Sequence, residues 1–386
     1  DYVLSNPPFG REWKNEKAAV EAESKRGFAG RFGPGLPAAS DGQMLFLLTA
    51  ISKMKQPEDG GSRIAIIHNG SPLFTGDAGS GPSEIRKYIL ENDLLEAIIA
   101  LPNDIFYNTG IATYIWVLSN KKVGTKREGK VQLINANGLY EKRRKALGNK
   151  RNDIPESAIT EITRLYGDFV ESEISKIFDT ADFGYTKITV ERPLRLNYAV
   201  SEVRIEFLTD PKTIPDLFDD LRDPEERNGE GYNPIAPKIV AALRTMDQNK
   251  VWYDEKEFRD TLSHALVSNN IPSSKFIVDL LVGPLSETDP NAPIHLKRGK
   301  PQPDTSLRDT ENVPLKEDIQ TYFEREVLPF APDAWIDAKK SKVGYEIPFT
   351  RYFYKYEAPQ PSAEIMKEIL AIEAELDGAL AEVFGA

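Results

Sequence analysis

The chain has 386 residues, 40% apolar and 28% charged, which suits a soluble globular protein with room for more than one core. It has no cysteine and only three histidines (His68, His264 and His295), which excludes disulfides, thiol nucleophiles and a histidine metal cluster; chemistry falls to backbone, amide, carboxylate or a cofactor. The net charge of −11 excludes a chain that coats nucleic acid unaided, and the absence of a signal peptide or of ~18 consecutive apolar residues leaves a cytoplasmic location as the expectation.

Residues 1 to 5 read as a strand from the first position, an abrupt start that leads us to expect a missing N-terminal part. Asn6-Pro7-Pro8-Phe9-Gly10 closes that strand. Residues 24 to 42, with Gly27, Gly30, Gly33, Gly35 and Gly42 around Pro34 and Pro37, read as a mobile loop. Met44, Leu45, Leu47, Leu48, Ile51 and Met54 recur at helical spacing and predict an amphipathic helix that stops before Gly60-Gly61. Strands are predicted over 63–68, 94–101 and 112–118, with a turn at Asn69-Gly70-Ser71-Pro72 and a helix over 82–92. Apolar strands alternating with helices imply a sheet covered on both faces, half of a doubly wound α/β domain. The last two of these strands have no helix between them, which suits an antiparallel pair.

From Lys121 the texture changes. A strand over 131–136 precedes a basic island, Lys142-Arg143-Arg144-Lys145 with Lys150-Arg151, which reads either as a contact for DNA phosphates or as a solvated charge run. Residues 155–178 predict one helix, and 185–190 an alternating strand. Residues 205–330 are polar, proline-punctuated and mostly helical by pattern, with a flexible stretch expected from Glu287 to Asn312. After the aromatic segment 344–356, a terminal helix places Ile365, Ile369, Ile372, Leu376, Ala379 and Val383 on a heptad seam, built either for a partner or for packing on its own domain. The expected divisions are 1–200, 201–360 and 361–386.

Asn6 to Phe9 carry a specific chemistry. An aromatic exocyclic amine is a poor nucleophile because its lone pair is delocalised into the ring. The Asn6 amide oxygen and the Pro7 carbonyl can each accept one amine hydrogen and favour a pyramidal nitrogen. The two prolines fix their own φ, confine the residues before them to extended geometry and bring no competing N–H. Phe9 can stack on a base rotated out of a duplex. Such a tetrapeptide arises by chance in about 1% of chains this long.

This segment resembles the catalytic motif of amino-methyltransferases. Together with SDGQMLFLLTAISKM (40–54), RIAIIHNGSPLFTGDAGSG (63–81), ENDLLEAIIALPNDIFYNTGIATYIWVLSNKK (91–122) and GYEIPFTRYFY (344–354), it resembles the modification subunit of type I restriction-modification systems. The resemblance implies the C-terminal half of a Rossmann-like α/β methyltransferase domain followed by a mostly helical region. It also implies methylation of adenine N6 in DNA with S-adenosylmethionine, and a complex of two modification subunits with one specificity subunit, which restriction subunits can join. Residue by residue, Asn6, Pro7, Pro8 and Phe9 match the motif holding the target adenine. Asp41, Gln43 and Phe46 fall where a helix lines the cofactor pocket, and the loop at 106–110 corresponds to a hairpin near the base, or is an ordinary turn. The family's Gly-rich cofactor loop belongs upstream of Asn6 and has no counterpart later, since LLVGPLSETDP carries one glycine where several are needed. The chain alone is therefore expected to be inactive. Methylation of a glutamine or of RNA at the same motif, and a non-catalytic structural fragment, are the competing readings.

Overall fold

The computed structural model describes residues 1–208, 235–356 and 358–384, with side chains of the terminal helix as far as 376. The chain forms two compact units, Asp1–Gly184 with Gly344–Ala386, and Tyr185–Val343.

The first unit is a six-stranded mixed sheet. Its strands are β1 (Tyr2–Ser5), β2 (Arg63–Asn69), β3 (Leu95–Ala100), β4 (Thr113–Ser119), β5 (Lys130–Asn135) and β8 (Ser175–Asp179), in the order β1-β2-β4-β3-β5-β8. β1 and β2 are parallel, as are β3 and β5, while β4 runs antiparallel to both β2 and β3. The antiparallel pair expected from the short 102–111 connection is present, and β4 lies between β2 and β3. Every residue of β3 is buried, as a strand covered on both faces requires. One face packs Ala97, Ile99, Val117 and Ile134 against Leu165 of helix α5 (Glu156–Asp168).

Helix α2 (Gln43–Ile51) buries Met44, Leu45, Leu47, Leu48 and Ile51, and ends one turn earlier than its periodicity predicts. The Gly-rich segment is not simply a loose connection. Helix α1 (Lys17–Ser24) leads into it, Phe32 is buried, and the Ser24 hydroxyl donates to the Phe32 carbonyl at 3.1 Å. Its glycines permit close approach: a Cβ on Gly35 would lie 2.6 Å from the Gly81 carbonyl oxygen.

Two other expectations are corrected, those for 155–178 and 287–312, and the basic island between them takes a definite form. The helix expected over 155–178 ends at Asp168, where Phe169 turns left-handed with φ +53°, and β8 follows; Ile174 and Ile177 continue a helical spacing but face a strand partner. The basic island is a two-stranded hairpin, β6 (Glu141–Leu147) and β7 (Lys150–Asp153). The stretch 287–312 contains the paired strands Leu296–Lys297 and Lys300–Pro301 and the start of Asp309–Pro314, which pairs with β9 (Gly184–Glu191); alternation there is short and interrupted, so no sequence window shows it.

The second unit has helices at Glu202–Leu208, Ile235–Leu243, Glu255–Ser268 and Lys275–Val282 around one core that includes Tyr198, Trp252 and Phe258. Ile188, Val190, Val313, Phe323 and Val327 form another. Part of the region predicted as mostly helical lies outside the described residues.

Between the units the chain returns to the first at Gly344 and is tied there by backbone bonds. Tyr345 N–H donates to Ser83 Oγ at 3.1 Å, Glu346 N–H to Phe183 O at 2.9 Å and Ile347 N–H to Leu73 O at 2.8 Å. The aromatic segment then packs Phe349 on Tyr114 and Tyr352 on Phe178, with centroids 5.3 and 4.2 Å apart. The helix Ser362–Phe384 is exposed over its described side chains, with Ile365, Ile369, Ile372 and Leu376 between 42% and 57% exposed. Ala379 and Val383 lie outside the described side chains.

Candidate active site

The sheet brings the chemistry-bearing segments to one edge. Parallel pairing of β1 and β2 puts their C-terminal ends side by side, so Asn6–Gly10 emerges next to Asn69. β4 runs the other way, and its first residue, Thr113, pairs with Asn69; the loop entering β4 therefore starts from the same edge. The result is a cavity of about 650 Å³ lined by Asn6, Pro7, Pro8, Phe9 and Gly10 on one side, Phe106, Tyr107, Asn108, Thr109 and Ile111 on the other, and Asn69 between. No charged side chain lines it. Pro7 is buried, Asn6 is exposed, and the Asn6 side chain makes no hydrogen bond among the described residues. Phe9 meets Phe106 edge to face, with centroids 6.2 Å apart and planes at 80°.

Asp41 and Gln43 stand behind this cavity, outside its lining. Gln43 is 1% exposed; its amide N–H groups donate to Asp41 Oδ1 and Oδ2, both at 3.0 Å, and its Oε1 accepts from the Asn69 backbone N–H at 3.0 Å. Ser71 N–H donates to the Asn69 side-chain oxygen at 2.9 Å, and Ser71 Oγ bonds Asp41 Oδ2 at 3.3 Å. This network holds Asn69 at the cavity wall. Phe46 is elsewhere: 42% exposed, it lines a separate cavity of about 300 Å³ with Trp13, Val20, Glu12 and Glu16.

A cavity walled by Asn-Pro-Pro-Phe and by neutral amides and aromatics coincides with the match to known proteins. Residues 1–189 match the N-6 DNA Methylase family. That segment, just under half of the chain, belongs to the family. It is similar to the type I restriction enzyme MjaVII methylase subunit of Methanocaldococcus jannaschii, 30% identical over 251 residues that cover 63% of this chain and 39% of the relative. The MjaIX methylase subunit of the same organism is 27% identical over 206 residues, 53% of this chain and 34% of the relative. Among solved structures, the type I restriction-modification system methyltransferase subunit from Streptococcus thermophilus shares 27% identity over 47% of this chain and 34% of its own, with a TM-score of 0.38. The chain thus spans little more than a third of the length of these relatives.

The family implies S-adenosylmethionine, and the three residues expected to hold it differ in fit. Phe46, with Trp13 and Val20, offers a surface that a purine ring can cover, and Glu12 and Glu16 beside it offer carboxylates. Gln43 does not fit as a direct ligand, because both ends of its amide are engaged within the protein. Asp41 accepts from Gln43 and bonds Ser71, and so shares that internal role.

Two features around this cavity were not evident from sequence. Asn69 read only as a turn residue; its position at a strand end before glycine was the available signal. His68 is the other. It is fully buried on β2, edge to face with Trp116 at 5.6 Å, and neither ring nitrogen has a hydrogen-bond partner among the described residues. Desolvation pushes its pKa down to about 4, opposed by the nearby Asp41 charge.

The imidazole is therefore neutral when folded, whereas in the unfolded chain it takes up a proton near pH 6.5. Below that pH the unfolded state binds more protons, so stability falls from pH 6.5 down to about 4 and then levels. The loss attributable to His68 is about 2 kcal/mol at pH 5 and about 3 kcal/mol at pH 4. His68→Phe keeps an aromatic ring against Trp116 and is expected to flatten the urea-unfolding profile over that window by this amount. Profiles that run parallel in the two proteins would show that His68 is hydrated or protonated in the fold.

Proposed function

We propose that this chain carries the target-base side of a DNA adenine-N6 methyltransferase, acting as the modification subunit of a type I restriction-modification complex. The observation that carries the reading is the neutral cavity at the sheet edge, which joins Asn6–Gly10 to the Phe106–Ile111 loop. A flipped adenine is neutral and planar, with a rim of donors and acceptors, and this lining matches it in kind.

Asn6 Oδ1 and the Pro7 carbonyl each accept one hydrogen of the exocyclic amine and turn its lone pair away from the ring plane. Phe9 covers the base face and is buttressed by the edge of Phe106. Asn69, held by Gln43 and Ser71, presents its remaining amide hydrogens to the base edge. S-adenosylmethionine supplies an electrophilic methyl group on a sulfonium. Phe46 and its neighbours are the surface of this chain assigned to it. The lining holds no carboxylate or imidazole, so the proton shed by the methylated amine leaves to solvent.

On the same reading the exposed seam of Ile365, Ile369, Ile372 and Leu376 docks on helices of the specificity subunit, and a second modification subunit and restriction subunits complete the assembly. The test is methyl transfer to unmethylated genomic DNA by the complete complex, with the modified base identified by mass spectrometry. N6-methyladenine, together with loss of the specificity subunit when residues 361–386 are deleted, is expected. Label on protein glutamine or RNA, or no transfer by the complete complex, would overturn it.

A further inference from the structure

The basic hairpin β6–β7 is fastened to the loop that walls the cavity. At its tip the Asn149 N–H donates to the Tyr107 carbonyl at 2.9 Å; along β7 the Arg151 and Asn152 N–H groups donate to the Asp104 carbonyl at 2.8 and 3.1 Å, and Asn152 Nδ2 donates to the Asn103 carbonyl at 2.9 Å. Gly148 lets the two backbones meet: its φ is +60°, and a Cβ there would lie 2.7 Å from the Tyr107 oxygen.

The charge on this hairpin runs against the rest of the chain. Residues 141–153 hold six Lys and Arg against Glu141 and Asp153, within a protein of net charge −11. Asp153 engages Arg143 and Lys150. Lys142, Arg144, Lys145 and Arg151 are exposed and have no ion-pair partner among the described residues. A solvated charge run does not need four hydrogen bonds to the 103–107 segment, one of them to Tyr107 in the cavity wall and three to Asn103 and Asp104 just before it.

We infer that the hairpin is a phosphate clamp: Lys142, Arg144, Lys145 and Arg151 hold the DNA backbone beside the displaced adenine, and the bonds from Asn149, Arg151 and Asn152 transmit that register to the Phe106–Ile111 wall. The inference rests on the proposed adenine-methylating role of the same cavity. Each phosphate neutralised steepens the salt dependence of binding by ~0.9 in the log–log slope.

The test compares the complete complex with a form carrying Lys142→Gln, Arg144→Gln, Lys145→Gln and Arg151→Gln, titrated with a fluorescein-labelled non-specific duplex from low to high salt. With four cations removed at ~0.9 each, the slope is expected to become shallower by about 3.6, with the specificity subunit still bound. Gly148→Ala keeps every charge but forces the tip off Tyr107; it is expected to retain the slope while methyl transfer to genomic DNA falls by tenfold or more, roughly the cost of a misplaced reacting group. An unchanged slope in the quadruple variant, or loss of the specificity subunit from it, would overturn the clamp, the latter marking the hairpin as a protein-docking element. Undiminished transfer by Gly148→Ala would remove the coupling to the cavity wall. If the unaltered complex methylates no adenine, it is the functional reading that fails, since the salt slope is measured independently of transfer.

Discussion

Asn6→Ala in the complete complex is expected to lower methyl transfer to adenine by about 100-fold or more, the usual cost of removing one preorganised polar group from a developing charge. The side chain is exposed into the cavity and makes no hydrogen bond within the described protein, so its removal leaves no buried group unsatisfied. Stability should therefore change by no more than about 0.5 kcal/mol, and duplex affinity should hold, because phosphate contacts dominate it. Asn6→Asp is the informative companion. A carboxylate keeps an acceptor oxygen in the place of the amide oxygen, so it should retain more transfer than alanine. A parallel loss of DNA binding in Asn6→Ala, or transfer near the unaltered level, would show that Asn6 has no part in orienting the amine.

The largest structural effect is expected at Arg86, which is fully buried on helix α4 (Gly81–Glu91). Its guanidinium donates through Nε to the Tyr345 carbonyl, through Nη1 to the Pro72 and Thr75 carbonyls at 3.1 and 2.9 Å, and through Nη2 to the Gly76 carbonyl at 3.3 Å. One side chain thus satisfies four carbonyls in the turn after β2 and in the returning segment at 344–356. Arg86→Met fills similar length with apolar atoms and leaves those oxygens without donors. The expected destabilisation is roughly 3–5 kcal/mol in urea unfolding. It should come with faster proteolysis within 344–356, because Tyr345 loses one of its three bonds to α4 and keeps only those to Ser83 and Glu91. A loss below about 1 kcal/mol would show that water replaces the guanidinium without strain.

Much of the first unit was legible in the sequence. Apolar runs at 63–68, 94–101 and 112–118 became strands, because a covered sheet demands continuous apolarity and these segments have it. The missed helix end at Asp168 illustrates the limit: apolar spacing continues past it, and only the left-handed turn at Phe169 and the partner strand β5 show that the periodicity no longer means a helix. Gln43 shows a different limit. The family resemblance set it in the cofactor pocket, whereas burial obliges its amide to be satisfied, and its partners are Asp41 and the Asn69 N–H.

By itself the sequence determined the rigid Asn6-Pro7-Pro8-Phe9 segment, since proline limits its own backbone and that of its predecessor wherever it stands. It also determined the heptad spacing of the terminal helix, while the exposure of that seam came from the structure. Tertiary structure alone decided what faces that segment. Because β4 is inserted antiparallel between β2 and β3, the Phe106–Ile111 loop and Asn69 arrive at the edge where Asn6 emerges. Backbone hydrogen bonds then set the basic hairpin against that loop, and backbone groups are common to every residue, so no side-chain pattern could have announced the contact.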